Sequence, residues 1–491
     1  MLFGSAEFLF VFLPLVVGAY YLTRNVLNDI SLTQTMMCLS SLLFIGYGGI
    51  IDVAILLCSL AANWMLLNLM SRCVGRQRNA LLTVSISMNL GIIALFKYSG
   101  LICEMVNDVF NLAIPSPDLP LPLAISFYTF QLITLHVDSY RNNWPAPPKK
   151  IMVLFYSFFP HLLAGPLLWF QDVRHDLETM RPIKSDTFLP GMMMLSLGLF
   201  KKGVFADNLA PLANAHFTTI EGGATPSFID AWGGTLAYTF QIYFDFSGYT
   251  DMAVGLALIF GVVLPVNFFS PYKARNIIDF WRYWHISLSR FLREYLYFVL
   301  GGNKLGVPRR WANLFVTMFL GGLWHGASWN FAIWGAAHGI LLGINHAWRT
   351  TGLKMPSFLA WSLMFFAVTF CWVFFRAHDV DTAMENFAGM LGMNGLSLPG
   401  RFETLIGPLF PASVLEHITF GGNGQFRTLD ILFLGMNAFV VFLLPNSDQL
   451  VRKQQDNRFL NGFAGPIICG VLGAVGAMSI FQPAPFIYFR F

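Results

Sequence analysis

The sequence predicts an all-α polytopic membrane protein, and its composition, its apolar segments and its few charges all favour that class. Of its 491 residues, 56% are hydrophobic and only 11% are charged, whereas soluble domains carry roughly 25% charged residues. The alternating ten-residue segments typical of a transmembrane β-barrel do not occur in the sequence. We therefore expect a single membrane-embedded domain over residues 1–491, with about 11 to 13 transmembrane helices.

Each transmembrane helix is predicted from an apolar run of about 20 residues. The first run comes before the first basic residue, Arg24, so it lacks the positive start of a cleavable signal and is expected to stay in the membrane. The run 312–346, which holds two histidines, is long enough for two passes or for one broken pass. The predicted runs lie near 6–23, 33–50, 51–70, 80–100, 121–140, 151–170, 188–206, 231–263, 312–346, 357–375, 428–445 and 462–481.

The basic residues of the first loops predict how the chain is oriented. Lysine and arginine follow the first, third and fifth predicted helices, whereas the loop 101–120 has neither. These basic residues are Arg24, then Arg72, Arg76 and Arg78, then Arg141, Lys149 and Lys150. Because loops rich in Lys and Arg stay in the cytoplasm, we expect the N-terminus outside and the loop 141–150 in the cytoplasm. The Gly- and Pro-rich stretch 389–427 is predicted to be an extramembrane loop.

Several function classes are disfavoured by the charge and cysteine patterns. The net charge of +4 is small and scattered, so it forms no basic face for nucleic acid. The six cysteines are widely spaced and give neither a paired-cysteine metal motif nor a disulfide framework. Neither a G-x-S-x-G nor an H-E-x-x-H motif is present. We expect no metal, no nucleic-acid partner and no permanently bound cofactor.

The stretch 276–300 is predicted to form one amphipathic helix that lies along the membrane surface. At about 100° per residue, apolar side chains including Trp281 share one face, and Asp279 and Arg282 lie on the opposite arc. A helix that is basic on one side and Trp-rich on the other suits the membrane interface. His285 falls on the apolar side, where it is either a core histidine bonded to a carbonyl or a polar group facing a buried cavity.

Two histidines, His325 and His338, lie in the stretch GGLWHGASWNFAIWGAAHG, whose other residues are typical of membrane interior. On one straight helix they would be roughly 20 Å apart and on different faces. The residues between them, including Gly326 and Ser328, predict a break that lets both approach one cavity. Each histidine alone could equally serve helix packing. The neighbouring tryptophans favour a functional role, and they are Trp324, Trp329 and Trp334.

Imidazole chemistry suits the transfer of a group to an alcohol. A neutral imidazole takes a proton from a hydroxyl and, once protonated, returns one to a leaving group. Apolar surroundings favour the neutral form that such a base needs. These properties favour activation of an alcohol for attack on a thioester.

Two carboxylates, Asp245 and Asp251, also lie inside an apolar run. They could shape a cavity, or they could brace neighbouring helices through hydrogen bonds. We favour the brace interpretation.

Several stretches of the chain, taken in order, resemble membrane-bound O-acyltransferases. The resemblance is to the bacterial branch that O-acetylates secreted polysaccharides such as alginate, and it covers nearly the whole chain. The WHIS block and the WHG block with its following HG are the most specific. The stretches are AISFYTFQLITLHVDSYR (124–141), FFPHLLAGPLLWFQDV (158–173), YTFQIYFDFSGYTDMAVGLALIFG (238–261), NFFSPYKARNIIDFWRYWHISLSRFLREYLYFVLGGNKLG (267–306), GGLWHGASWNFAIWGAAHG (321–339) and PFIYFRF (485–491).

The resemblance implies roles for individual residues. His338 matches the family's near-invariant histidine and would be the catalytic base, and His325, which matches the histidine of WHG, would orient or return the proton. The fold implied is a ring of membrane helices around a thin centre, with a funnel from each side. The residues expected to line a funnel or bind substrate are His285, Trp281, Arg282, Trp324, Asn330 and Trp334.

The resemblance also implies a reaction and its partners. An acetyl group would move from a cytoplasmic thioester, acetyl-CoA in particular, across the bacterial inner membrane to hydroxyls of an exopolysaccharide. A periplasmic acetyltransferase-type protein would be the partner, although Arg490 stands where this branch more usually has glutamine. The alternatives are acetylation of cellulose or another glycan, D-alanyl transfer to teichoic acid, a transporter of a polysaccharide precursor, and a membrane scaffold.

Overall fold

The chain folds almost entirely into helices in a computed structural model that describes residues 1–115, 117, 119–163, 165–398, 418–420, 426–456 and 464–478. The described strands are β1 (Leu396–Leu398) and β2 (Ile418–Phe420), which pair in parallel with Leu396 opposite Ile418. Because these strands are three residues long and the other described elements are helices, the predicted all-α class is confirmed. Much of the predicted loop 389–427 and the C-terminal PFIYFRF lie outside the described residues.

The α-helices, in chain order, begin with a group that precedes the first long buried helix: α1 (Leu13–Tyr20), α2 (Ile30–Gly46), α3 (Ile50–Met70), α4 (Gly75–Ile93), α5 (Ser99–Phe110), α6 (Ile125–Asn142), α7 (Lys149–Ser157), α8 (Phe159–Leu162), α9 (Phe170–Thr179), α10 (Ser185–Phe200) and α11 (Asp207–Glu221). The second group is α12 (Phe228–Ile259), α13 (Ile277–Tyr283), α14 (Ile286–Leu292), α15 (Val307–His325), α16 (Trp329–Thr350), α17 (Ser357–Arg376), α18 (Val380–Met390), α19 (Thr428–Leu443), α20 (Ser447–Asp456) and α21 (Gly465–Ala477). Wider π-helical turns adjoin several of them, at Glu7–Phe12, Tyr21–Val26, Ala94–Tyr98, Lys201–Ala206 and Arg293–Tyr297, and a 3₁₀ turn covers Pro271–Lys273.

Several of these helices are long and apolar enough to cross a membrane. Within the described residues five qualify by length and composition, or six if α19 and α20 together form one span. The five are Glu7–Val26, Ile50–Met70, Gly75–Phe110, Ser185–Glu221 and Ser357–Arg376. Helices such as α12 and α16 are also long, but they carry more polar residues. The total of 11 to 13 spans, the ring and the two funnels stay predictions.

By its internal contacts the chain divides into two compact units. The first contains residues 1–199 and 249–266 and the described residues from 447 onwards, and the second contains residues 200–248 and the described residues between 267 and 446. All the predicted site residues fall in the second unit. The prediction of a single domain over 1–491 stays a prediction.

The predicted span 151–170 is wrong as one continuous helix. α7 ends at Ser157, the single turn α8 follows, and α9 begins only at Phe170. Pro160 has no backbone N–H, and its ring would clash with the carbonyl of the preceding turn, so a break before it is favoured. Gly165 then lies so close to His161 that an added Cβ would be 2.5 Å from the His161 Cα. The segment is therefore a broken, tightly folded element.

The predicted helix 276–300 is also broken, into α13, α14 and a π-helical turn. The break is at His285, whose φ of 43° and ψ of 56° are left-handed. Asn267 satisfies the backbone there: its carbonyl accepts from the Ile286 N–H at 3.0 Å, and its side-chain oxygen accepts from the Ser287 N–H at 3.0 Å. The inward direction predicted for His285 is confirmed, because the side chain is fully buried. The location at the membrane surface stays a prediction.

The run 312–346 is broken as its glycines predict. α15 ends at His325 and α16 begins at Trp329, and Gly326 between them has an extended backbone. The two helices approach closely because glycines meet: a Cβ on Gly322 would lie 2.2 Å from the Phe331 carbonyl oxygen, and one on Gly335 would lie 2.4 Å from the Met318 carbonyl oxygen. Small residues of this kind let helix backbones come together in membranes.

A buried ion cluster connects the π-helical turn after α10 to α12. Lys202 Nζ lies 2.7 Å from Asp207 Oδ1 and 2.6 Å from Asp245 Oδ1, and the three side chains are 14%, 8% and 1% exposed. The ion pair supports the brace interpretation of Asp245. Asp251 accepts a hydrogen bond of 2.6 Å from the Ser447 hydroxyl, which supports the same interpretation.

The first prediction concerns the contact between α15 and α16. Gly335→Ala is expected to destabilise the protein by roughly 1–3 kcal/mol or more, because the new Cβ overlaps the Met318 carbonyl oxygen and the backbones must separate. Gly343→Ala on the same helix is the matched control, because a Cβ there meets nothing within 4 Å. Thermal unfolding in detergent measures both, and equal melting temperatures for the two variants would contradict the prediction.

The second prediction concerns the ion cluster. Lys202→Met leaves two buried carboxylates without their cation and is expected to cost roughly 3–5 kcal/mol of unfolding free energy. Asp245→Asn is expected to cost clearly less, because Lys202 keeps its ion pair with Asp207. The comparison uses the melting temperatures of both variants in detergent. A smaller loss for Lys202→Met than for Asp245→Asn would be the opposite of what the cluster predicts.

Candidate active site

His338 is fully buried among aromatic rings that come from three helices. Phe280 and Trp281 belong to α13, Trp334 precedes His338 by one turn on α16, and Trp372 belongs to α17. These four residues and Phe375 of α17 are called the aromatic cluster below.

The rings of the aromatic cluster fix the plane of the His338 imidazole. Phe280 lies nearly parallel to it, at an interplanar angle of 9° and a centroid distance of 6.2 Å. Trp281 and Trp334 meet it edge to face, with centroids 5.1 and 4.8 Å away. Edge-to-face and offset parallel contacts are the favourable aromatic geometries, so the imidazole is held from several sides.

One polar contact orients His338 within its plane. The indole N–H of Trp281 donates a hydrogen bond to His338 Nδ1 at 3.3 Å. Because an indole nitrogen can only donate, Nδ1 must be the acceptor, and the proton of the neutral imidazole is then on Nε2. His338 Nε2 is buried and makes no hydrogen bond to the described residues. Buried polar atoms normally have partners, so Nε2 is the atom of this site best suited to receive a substrate.

His325, at the end of α15, contacts part of the same cluster. It is 4% exposed, and its ring meets Trp334 at 5.1 Å and Phe375 at 5.1 Å, both edge to face. Trp334 therefore contacts both histidines. The break between α15 and α16 allows both histidines to contact Trp334, since on one straight helix His325 and His338 would lie on different faces.

Two further predicted residues support the histidines. Trp324 is buried and its ring lies 4.8 Å from that of His325. Asn330 donates a hydrogen bond of 2.8 Å to the Ala377 carbonyl and so ties the start of α16 to the end of α17. Asn330 thereby places Trp334 and Phe375 against each other.

The structure does not place all the predicted residues in the aromatic cluster. Arg282 is on α13, but its side chain is 63% exposed and pairs with Asp279 at 2.9 Å. His285 lies among other partners: its Nδ1 is 3.3 Å from Asn267 Oδ1, and its ring meets Phe246 edge to face at 4.7 Å. Lining of a funnel by these residues stays a prediction.

The sequence pattern does not identify Phe280, Trp372 and Phe375 as residues of the site. Trp372 and Phe375 are three positions apart, which places them on one face of α17, and Trp372 stacks on Trp334 at 5.9 Å and 24°. The same spacing also occurs on any helix that packs into a core. Only contact with the two histidines distinguishes this face, and the sequence does not show that contact.

The arrangement suits chemistry that must exclude water. Two imidazoles lie in apolar, aromatic surroundings, where hydrogen bonds and charges act more strongly than in water. A thioester held there would be protected from hydrolysis. A group transfer to a hydroxyl is therefore within the capacity of the site.

Comparison with known proteins agrees with this chemistry. The sequence matches the profile of MBOAT, the membrane-bound O-acyltransferase family, over residues 65–378, which include the three histidines discussed above. It is 33% identical to the peptidoglycan O-acetyltransferase of Helicobacter pylori, over 100% of this chain and 98% of that protein. It is 38% identical to the probable alginate O-acetylase AlgI of Azotobacter vinelandii, over 81% of this chain and 79% of that protein. Similarity to the teichoic acid D-alanyltransferase of Streptococcus thermophilus is lower, at 28% over 46% of this chain and 57% of that protein.

Proposed function

The chain belongs to the membrane-bound O-acyltransferase family, and on that basis we propose that it moves an acetyl group from a cytoplasmic thioester to glycan hydroxyls outside the inner membrane. That the chain is a membrane acyltransferase follows from the family and from its relatives. Acetyl-CoA is the proposed donor. The transporter and scaffold alternatives do not account for family membership.

One observation carries the proposal: two buried histidines contact the same indole of Trp334. On one straight helix the two would be far apart, and the break between α15 and α16 brings them together. Imidazole is the side chain best suited to proton transfer near neutral pH. We propose His338 as the catalytic residue, because its Nε2 is buried and makes no bond to the described residues. His325 is the second proposed member of the site.

An exopolysaccharide similar to alginate is the proposed acceptor, reached through a periplasmic acetyltransferase-type partner protein. The identity of 38% to the probable alginate O-acetylase supports this choice. Peptidoglycan is a second candidate, because the similarity to a peptidoglycan O-acetyltransferase extends over 100% of this chain and 98% of that protein. D-alanyl transfer has weaker support, since that similarity covers only 46% of this chain.

The third prediction tests the histidines. His338→Ala is expected to reduce acetyl transfer from radiolabelled acetyl-CoA by roughly 10²–10⁴-fold, which is the usual contribution of a positioned proton-transfer group. His325→Ala is expected to cause a smaller loss. The measurement uses the full chain in proteoliposomes, with His346→Ala as the control, because His346 is on the same helix and only partly buried. Full activity of the His338→Ala variant would remove His338 from the mechanism.

The fourth prediction tests the acceptor. The chain is expressed in two bacterial hosts that keep their periplasmic partner proteins but lack their own membrane acetylase, one for alginate and one for peptidoglycan. Acetate released by mild base from each purified polymer is then measured by chromatography, with the His338→Ala variant as the blank. We expect acetate on alginate. Acetate on peptidoglycan alone would replace the exopolysaccharide proposal with the second candidate.

A further inference from the structure

An apolar groove with one cationic end runs along α3 and α7, in the first of the two compact units. Its volume is about 370 Å³, and Lys149 is the one charged residue among those that line it. The lining consists of Leu57, Leu60, Ala61, Trp64, Met65, Lys149, Met152 and Val153. We propose that this groove binds an anionic phospholipid, with an acyl chain along the apolar lining and the phosphate against the Lys149 ammonium.

The apolar part of the groove suits an acyl chain. α3 is long and apolar enough to cross a membrane, and two of its groove residues, Leu57 and Met65, are 36% and 59% exposed. Exposed apolar side chains on a membrane-spanning helix contact lipid tails. Leu57 and Met65 are eight positions apart, which is about 12 Å along a helix. The groove therefore fits within one leaflet, since the whole hydrocarbon core is roughly 30 Å thick.

Lys149 is held at one end of this groove. Its Nζ lies 4.4 Å from the centroid of the Trp64 ring, which is a favourable cation–π distance. The Trp64 indole N–H donates a hydrogen bond of 3.0 Å to the Pro147 carbonyl, and this bond fixes the ring. Within the described part of the chain the Lys149 ammonium makes no ion pair and no hydrogen bond. Its three N–H groups can therefore donate to a phosphate without breaking a contact with the protein.

The neighbouring basic residues are engaged differently. Lys150 Nζ donates to the Ser31 carbonyl at 2.5 Å and to the Ser31 hydroxyl at 2.9 Å, so it ties α7 to α2. Arg78 donates to the carbonyls of Ser139 and Tyr140, both at 3.0 Å. These two cations are bound by the protein itself. Lys149 differs from them because it faces the groove.

The predicted orientation of the chain supports an anionic lipid. Lys149 belongs to the loop 141–150, which its basic residues predict to be cytoplasmic. Anionic phospholipids give the cytoplasmic leaflet a negative surface that attracts lysine side chains. A zwitterionic lipid carries the same phosphate together with a cation, which would be repelled by Lys149. The groove is therefore expected to prefer a lipid of net negative charge.

Quenching of tryptophan fluorescence by brominated acyl chains measures occupation of the groove. The full chain is placed in phosphatidylcholine vesicles with a small fraction of brominated phosphatidylglycerol or, for comparison, of brominated phosphatidylcholine. The contribution of Trp64 is the difference between the natural chain and Trp64→Phe. We expect half-maximal quenching at about fivefold less brominated phosphatidylglycerol than phosphatidylcholine, which is the effect of one lysine at a membrane surface. Equal quenching by the two lipids would overturn the proposal.

Two lysine variants distinguish a site from general attraction to the membrane. Lys149→Gln and Lys150→Gln remove the same charge from adjacent positions, and each is measured with and without Trp64→Phe. We expect Lys149→Gln to abolish the preference for phosphatidylglycerol and Lys150→Gln to keep it. An equal loss in both variants would mean that the charge of the whole loop attracts the lipid, and the groove would then have no part in the preference.

Native mass spectrometry of the full chain in detergent measures bound phosphatidylglycerol without relying on Trp64, in case Trp64→Phe does not fold. Ala61→Phe fills the groove and keeps its charge, so we expect it to weaken binding at least about fivefold. Ala54→Phe is the matched control, because Ala54 is exposed on the same helix and does not line the groove. Equal binding by these two variants would contradict the proposal. Glycerol phosphate should not compete with the lipid, and effective competition would replace the lipid site with one for soluble anions.

Discussion

The close approach of α15 and α16 is the constraint on which the candidate site depends. Gly322 and Gly335 leave no room for a side chain between the two backbones. The chain can therefore reverse within three residues and place α16 alongside α15. His325, at the end of one helix, and His338, inside the other, then reach the same indole of Trp334. A side chain at either glycine would overlap a backbone carbonyl oxygen of the facing helix and force the two helices apart.

The sequence predicts the helical class, the break near Gly326 and the burial of His285, because each follows from local composition or from helical periodicity. It does not predict the left-handed turn at His285. That turn depends on Asn267, which is 18 positions earlier in the chain and satisfies the freed backbone groups. Its contribution is visible only once the two segments are in contact. The single helix predicted over 151–170 is interrupted just before Pro160, a residue that disfavours the continuation of a helix.

The aromatic cluster is the part of the site that periodicity could not identify. Trp372 and Phe375 are spaced like the residues of any buried helix face. Their rings enclose the imidazoles with few polar groups, a composition that suits thioester chemistry but offers little for recognising a sugar polymer. The proposed acceptor would therefore be selected by residues outside the aromatic cluster. This separation is consistent with relatives that share the family and are named for alginate, peptidoglycan or teichoic acid.

The order of the cluster's helices along the chain has a consequence for biosynthesis. α13 leaves the ribosome first, and the hairpin of α15 and α16 can form as soon as both have been inserted, because its contacts are between neighbours in sequence. Trp372, Phe375 and the Ala377 carbonyl that receives the Asn330 hydrogen bond arrive only with α17. A nascent chain that stops before α17 thus contains both histidines but lacks the α17 side chains that pack against them. The aromatic cluster around the two histidines is therefore complete only once α17 has packed against the hairpin.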